Sequence, residues 1–172
     1  MNRVLVLCQR KTGRINKQTS ENVSKQINPA IEGLVSEIIE SPKELCRFEY
    51  MSPGLVELDL DGTADYRFEL DNKQEKTKKQ TEKFIKENLN QYKAVVFHTC
   101  PILFLKHTVF LVYSLLEENG LLIIMAITKE SKNKVSINKI DVTKKGLAFQ
   151  DFVNELNKYF EPTDQPFIYK KK

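Results

Sequence analysis

The stretch "AVVFHTCPILFLKHTVFLVYSLLEENGLLIIMAI", residues 94–127, is the most apolar in the chain and limits the fold more than any other feature. A membrane-spanning helix needs about 20 predominantly apolar residues in a row. Here His98, Lys106, His107 and the Glu117-Glu118-Asn119-Gly120 turn interrupt the run, so no membrane span is expected. The pattern predicts a buried strand, "KAVVFHTCP", ending near His98, then a helix through Leu116 that stops at Gly120. A second buried strand, "LLIIMAIT", follows. Two strands that are apolar on both faces and joined by a helix form a parallel pair covered on both sides.

The same grammar recurs on either side. Val4 to Leu7 form an apolar first strand. Val23, Ile27, Ile31, Leu34 and Ile38 then recur at helical spacing and stop before Pro42. Asn28-Pro29 within that helix is either a kink or a fresh start, with Asn28 as N-cap and Pro29 in the first turn. "NKQEKTKKQTEKFIKENLNQY" predicts a solvated helix that docks late, through Phe84, Ile85, Leu89 and Tyr92. "VSINKIDV" suits an edge strand, "LAFQDFVNELNKYF" a helix resting on Phe152, Val153, Leu156 and Phe160, and "PFIYKKK" a short strand with a basic tail. "LVELDL" and "ADYRFEL" flank "DGT". A three-residue loop there would pair Leu60 with Ala64, Leu58 with Tyr66 and Val56 with Phe68 in a hairpin, with a sheet-spanning arrangement as the alternative.

Strands alternating with helices predict an α/β fold over residues 1–172 as one domain: a Rossmann-like three-layer sandwich with a mostly parallel sheet and a β-hairpin insertion. Such sheets bind ligands beyond the carboxyl ends of their strands, where strand order reverses. That rule brings the turn at Cys8 and the turn at His98-Thr99-Cys100 to one rim.

Composition narrows the partners. With 41% hydrophobic residues in 172, the chain suits a single well-buried core. Its 29% charged residues are interspersed with apolar ones, so wholesale disorder is not expected. The balance of 27 basic to 23 acidic residues is too even for an overall nucleic-acid footprint, which makes nucleic acid a minor expectation. Cys8, Cys46 and Cys100 are odd in number and widely spaced, and the apolar run after Arg3 is too short for a secretory segment. Both point to a reducing, cytoplasmic compartment. Cys8 with His98 and Cys100 could gather on the rim, but no paired Cys-x-x-Cys spacing accompanies them, so no metal is expected. His107, inside a helix, reads as an exposed or satisfied histidine. Walker, Gly-x-Ser-x-Gly and His-Glu-x-x-His motifs are lacking.

Cys8 and Arg14 enclose five residues, "QRKTG". A loop of that size can wrap N–H groups and a guanidinium around a phosphate, with the following helix adding its positive end. The same surroundings would lower the thiol pKa and make Cys8 a nucleophile. The spacing resembles the loop of low-molecular-weight tyrosine phosphatases, which also follows a first strand. The resemblance implies Cys8 as nucleophile and Arg14 as the clamp on the phosphoryl oxygens. Ile15 stands where that family has Ser or Thr, the loop is bulky through Gln9, Arg10 and Lys11, and no late Asp-Pro pair supplies an acid. The plainer readings are a buried cysteine closing a strand, followed by solvated cations, or an anion site without catalysis.

"YKAVVFHTCPILF" followed by "VYSLLEENGLLIIMAI" resembles the second half of class I methyltransferases that use S-adenosylmethionine. There a strand ends in a polar pocket turn and is followed by a helix, a leucine-x-x-x-glycine turn and the next strand. The resemblance implies that His98 to Pro101 border the substrate, with His98 as candidate base, and that Leu115 to Gly120 form the turn. It also implies that Gln9, Gly13 and Thr99 lie along the cofactor and that Asp59, ending the second strand, bonds its ribose. The first turn keeps one glycine, Gly13, where that family is glycine-rich. "VLVLCQRKTG" and "HTCP" are also similar to small α/β proteins of large DNA viruses, a likeness that implies no activity. The leading expectation is a degenerate methyltransferase-like domain that binds a nucleotide-like or anionic small molecule at the rim, with or without catalysis. A cysteine phosphatase is the second expectation. The third is a non-enzymatic binding or assembly module whose basic rim and tail meet an acidic partner.

Overall fold

A computed structural model describes residues 1–8, 28–51, 65–98, 102–125, 127–130, 134–137 and 146–172. In chain order the elements are β1 (Asn2–Cys8), α1 (Asn28–Ile38), β2 (Cys46–Met51), α2 (Glu75–Glu87), β3 (Tyr92–His98), α3 (Ile102–Leu115) and β4 (Leu116–Met125). They are followed by β5 (Ile127–Glu130), β6 (Lys134–Ile137), α4 (Gly146–Tyr159), β7 (Phe160–Pro162) and β8 (Ile168–Lys171). Six strands form one sheet in the order β2-β1-β3-β4-β8-β7. The first four are parallel, and β8 runs antiparallel between β4 and β7.

Alternation along the strands builds two cores. Leu5, Leu7, Val95, Phe97, Leu122 and Ile124 face α2, α3 and α4. Val4, Val6, Ala94, Val96 and Ile123 lie on the other face, with Ile31 and Val35 of α1. Both faces of β1 and β3 are therefore buried, which is why these strands read as continuous apolar runs. The crossover from β1 to β2 uses α1 on one face. The crossover from β2 back past β1 to β3 uses α2 on the other, as right-handed connections require when direction reverses. The Rossmann-like α/β architecture expected from the sequence is thus present, with its reversal between β1 and β3.

Several local expectations are corrected. β2 is Cys46–Met51, upstream of "LVELDL". Residues 55–60 lie outside the described residues, and residues 65–70 form no antiparallel arm: Tyr66 makes one isolated parallel bridge to Met51. That bridge sits beyond β2, in the third-strand position of a doubly wound sheet. Among the described residues β5–β6 is an antiparallel pair forming a separate two-stranded sheet, β7–β8 is another in the main sheet, and the described part of "VSINKIDV", residues 135–137, lies in the separate one. α1 is described from Asn28, and Val23, Ile27 and the choice between a kink and a fresh start at Asn28-Pro29 lie outside the described residues.

α3 ends at Leu115 and not at Gly120, because the Asn90 and Gln91 N–H groups donate to the Ser114 and Leu115 carbonyls at 3.0 Å each. The expected turn is still there, as a bulge within β4. Tyr92 pairs with Leu116 and Ala94 with Leu121, so residues 117–120 loop out of register. Asn119 takes a left-handed φ of 62° in that bulge. α2 docks on Phe84, Ile85 and Tyr92 of its expected stripe but not on Leu89. Leu89 is exposed, and the buried positions are Thr77, Thr81 and Phe84.

Candidate functional site at the ends of β1 and β3

β1 and β3 run side by side in register from Val4↔Ala94 to Cys8↔His98, and β3 and β4 pair as far as His98↔Met125. Three adjacent parallel strands therefore end level at Cys8, His98 and Met125. His98 is the polar residue that ends the apolar run Ala94–Phe97 of β3, and it is buried. α1 packs antiparallel to β1, as a crossover helix must, so its N-terminal turn at Asn28 lies toward this same end.

Of the sequence-predicted site residues, the fold brings the backbone positions of Cys8 and His98 together. Gln9, Gly13, Arg14, Asp59 and Thr99 lie outside the described residues. His107 is exposed on α3. Cys46 is buried away from this rim, with its Sγ donating to Ser41 Oγ and the Pro42 carbonyl at 3.5 Å. Among the described residues no group of three or more His, Cys, Asp or Glu could hold a metal ion. No described helix is long and apolar enough to cross a membrane.

A polar cluster that sequence reasoning missed lies toward the opposite end of the sheet. Arg3 donates from Nε to Glu49 Oε2 at 2.8 Å and from Nη2 to Oε1 at 2.9 Å. The same Nη2 reaches Asn88 Oδ1 at 2.9 Å and Tyr92 Oη at 3.0 Å, and the guanidinium lies 4.5 Å from the Tyr92 ring centroid. Glu49 Oε1 also accepts from the Tyr66 and Tyr92 hydroxyls at 2.7 and 3.0 Å. The Asn88 amide turns back to donate to the Phe84 carbonyl at 2.8 Å, closing the end of α2. The Glu49 side chain is 2% exposed. Burial alone would push its pKa up, but the hydrogen bonds from Arg3, Tyr66 and Tyr92 outweigh burial and hold it below the ordinary value. Burial and the neighbouring carboxylate raise the Tyr92 hydroxyl well above the usual range, so it stays protonated and donates. Every partner in the cluster is satisfied within the protein, and its role is to lock β1, β2, β3, Tyr66 and α2 together. The signal in the sequence was an arginine inside one apolar strand and a glutamate inside an alternating one.

No protein-family model matches the chain, and no curated protein matches it.

Proposed function

We propose that this chain is a methyltransferase-like domain that binds a nucleotide-like, anionic small molecule at the carboxyl ends of β1 and β3, with S-adenosylmethionine as the leading candidate. One observation carries the reading: Cys8 and His98 are in-register neighbours at the strand ends where the sheet reverses its order. Ligand crevices in doubly wound sheets open at that point because the flanking connections leave on opposite faces. The turns after both strands are the two that sequence reasoning singled out. The sheet polarity, with β8 antiparallel between β4 and β7 and a single-residue third-strand stub at Tyr66, fits the methyltransferase-like sheet. The link from fold to activity is one of analogy. In this reading His98 borders the acceptor as candidate base.

The phosphatase reading draws on the same strand end at Cys8 and needs Arg14 on the ligand. The two readings separate by experiment. S-adenosylmethionine and its demethylated product, at a hundredfold over their dissociation constants, would stabilise the fold by about 2.7 kcal/mol. For a chain of this size that raises the melting temperature by about 5–10 °C. His98→Gln should leave the rise in place and abolish methyl transfer. Absence of a shift with either compound at millimolar concentration overturns the methyl-donor reading. Hydrolysis of an aryl phosphate that Cys8→Ser abolishes would replace it with the phosphatase.

A further inference from the structure

Lys76, Lys79, Lys83 and Lys86 of α2 fall at i, i+3, i+7 and i+10, which places all four on one face of the helix. All four are exposed, and that face lies opposite the buried Thr77, Thr81 and Phe84. Among the described residues none of the four is in an ion pair. The helix also carries Glu75, Glu82 and Glu87, each four residues from one of Lys79, Lys86 and Lys83, and the four lysines outnumber these acids and leave the face net positive. At 1.5 Å rise per residue the ridge is about 15 Å long, a line of positive charge suited to a line of phosphates.

The neighbouring helix of the same layer adds an aromatic platform. Phe110 on α3 is 52% exposed, although large apolar side chains are otherwise mostly buried in this layer. It stacks on Tyr113 at 6.4 Å and 22°, and leans on Tyr159 of α4 at 5.4 Å. Tyr113 and Tyr159 are 5.3 Å apart, and the Lys171 ammonium lies 4.4 Å from the Tyr113 ring centroid. A ring held from behind by two others and backed by a cation is a preorganised stacking surface. An anionic membrane fits less well, because the apolar side of α2 is in the core and leaves nothing to insert. A duplex would hide its base faces from Phe110.

We infer that the outer face of the α2–α3 layer binds single-stranded nucleic acid, with the Lys76–Lys79–Lys83–Lys86 ridge along the phosphates and Phe110 stacked on a base. The whole-chain charge of +4 conceals this ridge, because 23 acidic residues, Glu75, Glu82 and Glu87 of α2 among them, offset most of the 27 basic ones. The surface is separate from the β1–β3 rim, so each can be tested without the other.

The test is fluorescence anisotropy of a labelled oligothymidylate of 20 nucleotides. Four phosphate contacts give a log–log salt slope of about −3, so affinity should fall about 50-fold between 50 and 200 mM salt. Lys79→Gln with Lys83→Gln should halve the slope. Phe110→Ala should weaken binding about fivefold or more at every salt concentration. Phe110→Leu, which keeps apolar bulk and loses the ring face, should weaken it as well and serves if the alanine variant folds poorly. No saturable binding at 50 mM salt overturns the inference, as does binding that all these substitutions leave unchanged. Binding to phosphatidylserine vesicles in place of the oligonucleotide would overturn it too.

Discussion

At the scale of single residues, the Arg3–Glu49 pair is where the fold is most vulnerable. Removing one member of a buried ion pair leaves the other charged and without its partner, at a cost of about 3 kcal/mol. Arg3→Met should therefore lower the urea midpoint sharply, while Arg3→Met with Glu49→Leu should cost less than Arg3→Met alone. The pH dependence should also change sign. In the native protein Glu49 has a depressed folded pKa. Its contribution is therefore full above the ordinary carboxylate value and is lost as pH falls through the depressed one. In Arg3→Met burial dominates, the folded pKa rises, and stability should fall as pH increases through it. Urea midpoints from pH 3 to 7 check both. Unchanged slopes would mean that Glu49 is not held by Arg3. This pair also explains why the second strand was expected later, at "LVELDL": Glu49 interrupts the apolar pattern of "CRFEYM", and Arg3, Tyr66 and Tyr92, all distant in sequence, make a buried acid tolerable there.

At the scale of elements, α2 and β4 depart most from their apolar patterns. α2 docks through hydroxyls. Thr81 Oγ1 accepts from the Asp71 N–H at 3.1 Å and lies 3.2 and 3.1 Å from the Glu69 and Asp71 carbonyls, while Thr77 Oγ1 donates to the Asp71 carbonyl at 3.0 Å. Sequence periodicity counts threonine as polar and so places it outside, which is how Leu89 came to be expected in the core. Thr81→Val keeps the shape and strands the buried Asp71 N–H, at an expected cost of about 1–3 kcal/mol despite the added methyl. Chemical denaturation measures it, and a neutral result would mean that the hydroxyl is dispensable. In β4, a Cβ on Gly120 would sit 2.9 Å from the Glu117 carbonyl oxygen and 3.0 Å from the Leu116 side chain. Gly120→Ala should cost about 1–3 kcal/mol by overpacking the bulge. A smaller loss would show that the bulge yields.

At the scale of the whole molecule, the architecture was legible where burial is two-sided. The apolar runs at Val4, Ala94 and Leu121 became β1, β3 and β4, and their alternation with helices implied the parallel sheet and the common rim. The edges were less legible. β7 is three residues long, and the Tyr66 segment packs in the core through its ring, 4.8 Å from Phe84, without joining a ladder. Its alternation therefore looked like a strand. The neighbourhood of Cys8 and His98 followed from topology, while the cluster at Glu49 depends on contacts between residues 17 to 89 positions apart in sequence, which no local pattern carries.

The central claim is that ligand meets the protein where β1 and β3 end together. Amide chemical-shift mapping during titration with S-adenosylmethionine's demethylated product tests it most directly. The account expects perturbations concentrated at Leu7, Cys8, Phe97 and His98 and in the first turn of α1. Saturable shifts centred instead on Asn2, Cys46 and Tyr92, at the other end of the same strands, would contradict it.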